Sequence, residues 1–244
     1  MAKAVLLSLL AGLATGVGGA GPLLLRKHMA RLAGPALGFA AGMMLAVSAI
    51  SLVPEAVREA GPFTAGLGFL TGVLVLLVLD ELVPHLHVTL QAEHGGGRLL
   101  ASGILTALGI FLHNFPEGFA VASGYAASES LGILVALSIG AHNIPEGLVT
   151  ALPLLAAGVG PRKVFLITLL SGLSEPVGAL VGFLLFRGSG GLAVALSMAG
   201  AAGAMVYITA DELLPEAHKQ AHSHLVVLSF AAAFWLAVVL EAVL

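Results

Sequence analysis

The sequence contains no cysteine among its 244 residues. Disulfide bonds, thiolate metal ligands and a cysteine nucleophile are therefore excluded. Any metal site must use histidine, asparagine, methionine or carboxylate side chains. Charged residues are also scarce, because Asp, Glu, Lys and Arg make up 9% of the chain, against roughly 25% in soluble domains. The formal net charge of −3 is too small to indicate nucleic acid as a partner.

The chain consists mainly of long apolar segments, and 59% of its residues are hydrophobic. A membrane-spanning helix needs about 20 apolar residues, and the interruptions between runs are too short for a soluble domain. We therefore predict an all-α integral membrane protein with a single membrane domain over residues 1–244. The boundaries of the runs place eight transmembrane helices near residues 4–25, 35–54, 63–84, 99–123, 130–156, 164–186, 192–215 and 225–243.

The positions of lysine and arginine predict the orientation, because cytoplasmic loops are enriched in them. With both termini on the outer side, the inner loops carry seven of the ten: Arg26, Lys27, Arg31, Arg98, Arg162, Lys163 and Lys219. The outer side carries Lys3, Arg58 and Arg187. We expect a multi-pass protein of the cell membrane, inner or plasma, with both termini outward.

Two internal repeats relate distant parts of the chain. Residues 40–56 align without gaps on residues 201–217, with nine identities in seventeen positions and an offset of 161. These segments fall in the second and seventh predicted spans, which run in opposite directions. The hexapeptides HNFPEG (113–118) and HNIPEG (142–147) fall in the antiparallel fourth and fifth spans. Together the repeats predict a 3+2+3 inverted-repeat arrangement, a transporter design whose site lies near the midplane.

Each hexapeptide places three polar side chains on one face of a helix, since residues three and four apart are neighbours there. Facing each other from antiparallel helices, the two sets converge on one point. Charged groups at the bilayer centre cost roughly 2.5–3.5 kcal/mol each, so this concentration indicates a function. The six residues are His113, Asn114, Glu117, His142, Asn143 and Glu146.

Prolines lie beside these polar residues. Pro116 and Pro145 fall inside predicted helices, where proline removes one backbone hydrogen bond. The carbonyls that this frees must find another partner or line a cavity. Glu175, followed by Pro176, repeats the pairing of carboxylate and proline on the sixth span. Glu175 is therefore the natural third carboxylate of the site.

The ligand types narrow the choice of metal. Imidazole and carboxylate without thiolate suit zinc, iron, manganese, cobalt or nickel better than copper(I), and imidazole argues against calcium and magnesium. Spacing does not rank these metals. The residues also allow a binuclear arrangement in which Glu117 and Glu146 are shared between two ions. The alternative is that these residues bind no metal and form a polar patch whose groups pair with one another between two kinked helices. The duplicated motif disfavours this alternative.

The paired HNxPEG segments resemble those of the ZIP family of metal transporters, particularly its bacterial broad-specificity branch, and the resemblance covers essentially the whole chain. It implies one metal site made of His113, Glu117, His142 and Glu146. It implies a second site made of Asn114, Asn143, Glu175 and the shared glutamates. Some ZIP members carry Gln-Asp where this chain has His142 and Asn143, so an acidic ligand of the second site is missing here.

The resemblance also implies a methionine of the second span near the first site. Met44 pairs with Met205 in the internal repeat, whereas Met43 pairs with Ala204. We therefore favour Met44, although a methionine on an apolar helix is more often part of the packing.

By the same resemblance, metal leaves toward the cytoplasm along Asp80, His85, His87, Asp211 and Glu212, with His94 in the long inner loop. Considered alone, His85 and His87 are equally well explained as solvated loop residues. Three further histidines in another predicted inner loop either buffer metal or have no role: His218, His222 and His224.

We expect a transporter rather than an enzyme, with no prosthetic group. It would import divalent metal, zinc first and also iron, manganese, cobalt and cadmium. The chain contains no G-x-x-x-x-G-K-[ST] segment, the motif that would indicate ATP use. The resemblance implies an elevator-like motion of the first, fourth, fifth and sixth spans against the other four. The expected partners are the metal ions and the lipid bilayer, with a homodimer as an option.

Two alternatives use the same buried residues. A metal-selective channel would need the same site. An intramembrane metallohydrolase would also need buried histidine and carboxylate, but the H-E-x-x-H segment of zinc proteases does not occur in the chain.

Overall fold

The computed structural model describes residues 2–93, 98–186, 190–221 and 224–244, without the side chains of 24–30, 82–107 and 186. Regular structure in these ranges is helical throughout. The helices are α1 (Ala2–Ala46), α2 (Val53–Ala60), α3 (Pro62–Glu93), α4 (Arg98–Ala127), α5 (Glu129–Ala156), α6 (Pro161–Gly172), α7 (Ser174–Phe186), α8 (Gly191–Ile208), α9 (Leu214–Gln220) and α10 (His224–Val243).

The prediction of an all-helical membrane protein is confirmed. Within the described residues, seven segments are long and apolar enough to cross a membrane: Ala2–Leu23, Arg31–Ala60, Pro62–Glu81, Glu129–Ala156, Pro161–Leu185, Gly191–Gln220 and His224–Val243. These correspond to seven of the eight predicted spans. The remaining predicted span, 99–123, lies within the 30 residues of α4.

Two predicted interruptions are helical instead. Residues 26–31 belong to α1, and α3 continues through His85 to Glu93. Neither stretch contains glycine or proline, and both are rich in residues that tolerate a helix. Charge and histidine therefore marked the end of the apolar run but not the end of the helix.

Two short π-helical segments occupy equivalent places in the sequence repeat. Val47–Leu52 joins α1 to α2, and Thr209–Leu213 joins α8 to α9. In each, a hydroxyl bonds back to a methionine carbonyl at 2.8 Å, from Ser48 to Met44 and from Thr209 to Met205. The π segments are a feature that the sequence reading missed.

The sixth span is broken at Leu173, between α6 and α7. Proline is tolerated in the first turn of a helix, where its missing N–H has no intrahelical partner to lose. Pro176 therefore suits a new helix that starts at Ser174. Glu175 lies in the first turn of α7, where the helix dipole favours a negative charge.

Packing places the two hexapeptide helices in the centre of the molecule. α4 packs against α5 and α7, α1 packs mainly against α5 and α10, and α3 packs against α8. Large apolar side chains such as Leu74, Leu228 and Trp235 are exposed on the outside. Glu117 and Glu175 are fully buried. An apolar exterior around a polar interior is the arrangement that a lipid environment requires.

Candidate metal centre

Both hexapeptides lie in the interior of helices that continue through their prolines. HNFPEG is in α4 with Pro116 inside the helix, and HNIPEG is in α5 with Pro145 inside the helix. Because α4 and α5 pack against each other, the polar faces of the two motifs meet within the protein. The sequence prediction that they converge is confirmed for three of the residues, as follows.

Glu117, His142 and Glu146 form the core of the centre, which we call the central triad. Their ligand atoms all lie within 4.8 Å of one another. His142 Nε2 is 3.0 Å from Glu117 Oε1 and 4.0 Å from Glu146 Oε1. Ligand atoms around a tetrahedral zinc ion lie about 3.4 Å apart when each bond is near 2.1 Å. The triad is therefore spaced so that small side-chain movements would bring its three ligand atoms onto one metal ion.

Burial makes this centre a strong candidate for binding a cation. The three residues of the triad are at most 1% exposed. Five buried oxygens in and beside the triad have no hydrogen-bond partner: Glu117 Oε2, Glu146 Oε2, Glu175 Oε2, Asn114 Oδ1 and Asn143 Oδ1. All five atoms are potential ligands, and a buried carboxylate without a partner is costly. A divalent cation would satisfy oxygens of this kind.

The two asparagines are held by their amide nitrogens. Asn143 Nδ2 donates to Glu175 Oε1 at 2.5 Å and to the Ala11 carbonyl at 2.9 Å. Asn114 Nδ2 donates to the Ser171 carbonyl at 3.2 Å. These bonds orient each side chain and leave its Oδ1 atom available as an acceptor. They also link α4 and α5 to the break between α6 and α7 and to the first half of α1.

His113 lies outside the central triad in this structure. Its Nε2 atom is 2.9 Å from Glu212 Oε1, whose side chain is 39% exposed. Glu212 belongs to the π segment Thr209–Leu213. The structure therefore connects a predicted ligand of the first site directly to a predicted residue of the exit path.

Met44 is fully buried, but so are Met43 and Met205 in the same apolar core. Burial alone therefore does not distinguish a ligand from packing, and the role of Met44 stays a prediction.

The predicted exit residues are only partly within the described side chains. The hydroxyl of Tyr207 donates to Asp80 Oδ2 at 3.3 Å. Asp211, in the same π segment as Glu212, is exposed. Tyr207 is a residue that the sequence reading missed, although it lies in the repeated segment 201–217. The side chains of His85 and His87 lie outside the described residues.

Two of the three histidines predicted in an inner loop lie in helices instead, His218 in α9 and His224 at the start of α10. His218 is exposed, with Nδ1 2.8 Å from the Leu214 carbonyl. His224 is exposed at the start of α10. His94 and His222 lie outside the described residues.

The fold and the site together define a class: a multi-pass helical membrane protein with a buried centre of imidazole and carboxylate groups suited to a divalent metal ion. The sequence model of the family described as ZIP Zinc transporter matches residues 89–238. The chain therefore belongs to the ZIP family, and the resemblance noted in the sequence is confirmed. Membership of a family of transporters also sets aside the metallohydrolase alternative.

Individual relatives agree over almost the full length. The chain is 41% identical over 242 residues to a zinc transporter ZupT of Chlorobium luteolum, covering 92% of this chain and 91% of the relative. It is 42% identical over 242 residues to the zinc transporter ZupT of Chlorobium phaeovibrioides, with the same coverage. The zinc transporter ZupT of Corynebacterium aurimucosum is 41% identical over 241 residues, with 92% and 90% covered.

Proposed function

We propose that this chain carries divalent transition-metal ions across the cell membrane into the cytoplasm, with zinc as the main cargo. The observation that carries the proposal is the central triad, whose ligand atoms lie within 4.8 Å of one another inside an apolar helix bundle. The relatives of Chlorobium and Corynebacterium are named zinc transporters. Iron, manganese, cobalt and cadmium are the further cargoes that this ligand chemistry favours.

The proposed first site consists of the central triad with His113 and Met44. In this site His113 must exchange its contact with Glu212 for the metal. The proposed second site consists of Asn114, Asn143 and Glu175, with Glu117 and Glu146 shared between the two ions. The unpartnered oxygens of all five residues support this assignment.

The helices follow a 3+2+3 inverted repeat in this proposal, and close helix contacts at glycine support it. A Cβ atom at Gly42 would collide with the Phe230 carbonyl, and one at Gly203 would collide with the Phe69 carbonyl. Both pairs are related by the offset of 161 that aligns the outer repeats. The same contact therefore recurs between α1 and α10 and between α8 and α3.

The inner helices repeat their contacts in the same manner. A Cβ at Gly118 would collide with the Glu175 carbonyl, and one at Gly147 would collide with the Thr15 carbonyl. The two glycines occupy the same position in their hexapeptides. The contact between α4 and α7 thus has its counterpart between α5 and the first half of α1. This second set supports an inverted relation within the four helices around the site.

We further propose that transport proceeds by an elevator-like movement of these four spans against the other four. The packing of α4 on α5 and α7, and of α3 on α8, supports two bundles, which meet where α4 contacts α8. The bond between His113 and Glu212 crosses from one bundle to the other. It connects the site to the predicted inner end of the seventh span.

Metal released from the site would leave along Asp80, Asp211 and Glu212, with His85 and His87 further along α3. The outward placement of both termini and the single transport domain over residues 1–244 belong to the same proposal. A homodimer is compatible with it, because each chain contains a complete site.

Uptake of zinc into vesicles reconstituted with the purified protein tests the function. Iron, manganese, cobalt, nickel and cadmium are added as competitors, and the two orientations of the protein are assayed separately. We expect saturable uptake that is lost in Glu117→Ala and Glu146→Ala variants. Glu216→Ala is the matched control, since this carboxylate lies in α9 beside Lys219 rather than in the centre. Unchanged uptake in both centre variants would refute the site, and uptake that rises linearly with zinc would indicate a channel.

A further inference from the structure

Thr15 occupies the position in α1 that Glu175 occupies at the start of α7. The correspondence follows from the contacts at Gly147 and Gly118, whose Cβ atoms would meet the carbonyls of Thr15 and Glu175 respectively. It is reinforced by Gly12 and Gly172, since a Cβ on either one would collide with the carbonyl of the other. Gly12 precedes Thr15 by one turn.

The hydroxyl of Thr15 is unusual among the buried threonines that the structure describes. Thr150 and Thr168 donate to carbonyls of their own helices, at 2.9 Å to Glu146 and at 3.1 Å to Val164. Thr15 is also fully buried, but its Oγ1 atom has no hydrogen-bond partner. A buried hydroxyl without a partner destabilises a fold unless a ligand or water satisfies it.

The backbone carbonyl that would usually accept a hydrogen bond from the Thr15 hydroxyl already accepts one from another residue. A threonine in a helix commonly donates to the carbonyl four residues earlier, which here belongs to Ala11. That carbonyl accepts instead from Asn143 Nδ2 at 2.9 Å. The asparagine that holds Glu175 through the same nitrogen therefore takes the place that the Thr15 hydroxyl would otherwise fill.

The Thr15 hydroxyl and the Glu175 carboxylate point into the same seam between α1 and the α6–α7 break. A Cβ built on Gly172 would lie 2.9 Å from Thr15 Oγ1, so the hydroxyl lies against the turn that precedes Glu175. Conversely, a Cβ built on Gly12 would lie 3.3 Å from Glu175 Oε1. Thr15, Asn143 and Glu175 each have one buried oxygen without a hydrogen-bond partner, namely Thr15 Oγ1, Asn143 Oδ1 and Glu175 Oε2.

We infer that the Thr15 hydroxyl is an additional oxygen ligand of the second metal ion, in the same seam as Glu175. The inference rests on the proposed function, because it requires an ion at Asn143 and Glu175. A hydroxyl is a neutral oxygen donor, so it adds a ligand without adding a fourth buried carboxylate to Glu117, Glu146 and Glu175. It partly replaces the acidic ligand that is missing at position 143.

The test is zinc titration of the purified full chain in detergent, measuring the number of ions bound and the affinity of each. Thr15→Val keeps the side-chain shape and removes the hydroxyl. We expect it to weaken the weaker of two zinc-binding steps by about tenfold, a typical loss when a group supporting a metal site is removed. Thr15→Ser should restore that step, and Thr168→Val, whose hydroxyl already has a partner, should leave it unchanged.

The Thr15→Asp variant should change the affinity of the second zinc-binding step in the opposite direction to Thr15→Val. Thr15→Asp provides a carboxylate where the repeat relation to Glu175 would place one, and it should tighten the second step. The inference is overturned if Thr15→Val and Thr15→Ser bind the second ion alike, or if the native chain binds a single zinc. If the proposed function were wrong, the result would be different, because the native protein would lack the stronger zinc-binding step as well.

Discussion

Replacing Gly118 by alanine tests how closely the metal centre depends on contact between α4 and α7. Gly118 follows Glu117 directly, and a Cβ at this position would lie 2.6 Å from the carbonyl carbon and 2.8 Å from the Cα of Glu175. Comfortable contacts between such atoms begin at about 3.4 Å, near the optimum for dispersion attraction. The carbonyl oxygen of Glu175 would lie closer still, so the two helices must separate by more than about 1 Å to accept the methyl group.

Such a displacement is large for a metal site, in which ligand distances are held to within about 0.2 Å. Overpacking of this kind also costs about 1–3 kcal/mol of folding free energy. We expect Gly118→Ala to lower the thermal unfolding temperature. Because the neighbouring Glu117 and Glu175 would move apart, we also expect zinc uptake to fall by about tenfold or more, the loss typical when groups that support a metal site are disturbed. Gly147→Ala should behave in the same way, because its Cβ would meet the Thr15 carbonyl.

The assay is zinc uptake by reconstituted vesicles, together with thermal unfolding in detergent. Gly109→Ala is the control on the same helix, because a Cβ there has no described atom within 4 Å. This variant should keep uptake, and it should gain up to about 1 kcal/mol from the better helix propensity of alanine. Gly118→Ala with native uptake and native unfolding temperature would refute the close contact between α4 and α7 on which the site depends.

Three further predictions concern the ligands, the exit and the orientation. Asn143→Asp should tighten the second zinc-binding step by about tenfold, measured by titration; weaker binding would contradict its role beside Glu175. Glu212→Ala should free His113 from its 2.9 Å contact, so that the first zinc binds more tightly while uptake slows; unchanged affinity would show that Glu212 does not compete with the metal. Because the chain has no native cysteine, Lys3→Cys should react with a membrane-impermeant thiol reagent from outside intact cells, and reaction only after permeabilisation would reverse the orientation.

Much of the fold follows from local patterns in the sequence. Apolar run length predicts helices that cross the membrane, and the spacing within HNFPEG and HNIPEG places Glu117 beside His113 and Asn114 on one helix face. The convergence of Glu117, His142 and Glu146 was also predictable, because the two motifs lie on successive antiparallel spans. These features depend on short-range periodicity and on neighbouring helices, both of which the sequence records.

Other features depend on the register between distant helices, which no local pattern records. The contact of His113 with Glu212 joins residues 99 positions apart, and the 3.3 Å contact of Tyr207 with Asp80 joins residues 127 apart. The sequence contains 32 glycines, but only the packed structure identifies Gly118 as one that faces another backbone. The free hydroxyl of Thr15 is likewise visible only when its neighbours are known.

Anomalous diffraction at the zinc edge from crystals of the zinc-loaded protein tests the central claim most directly, because it locates the ion itself. We expect a strong peak about 2.0–2.2 Å from side-chain atoms of Glu117, His142 and Glu146. That peak should be absent from Glu117→Ala crystals grown in the same zinc concentration. A zinc peak elsewhere in the protein, with none at these three residues, would contradict the assignment of the metal centre.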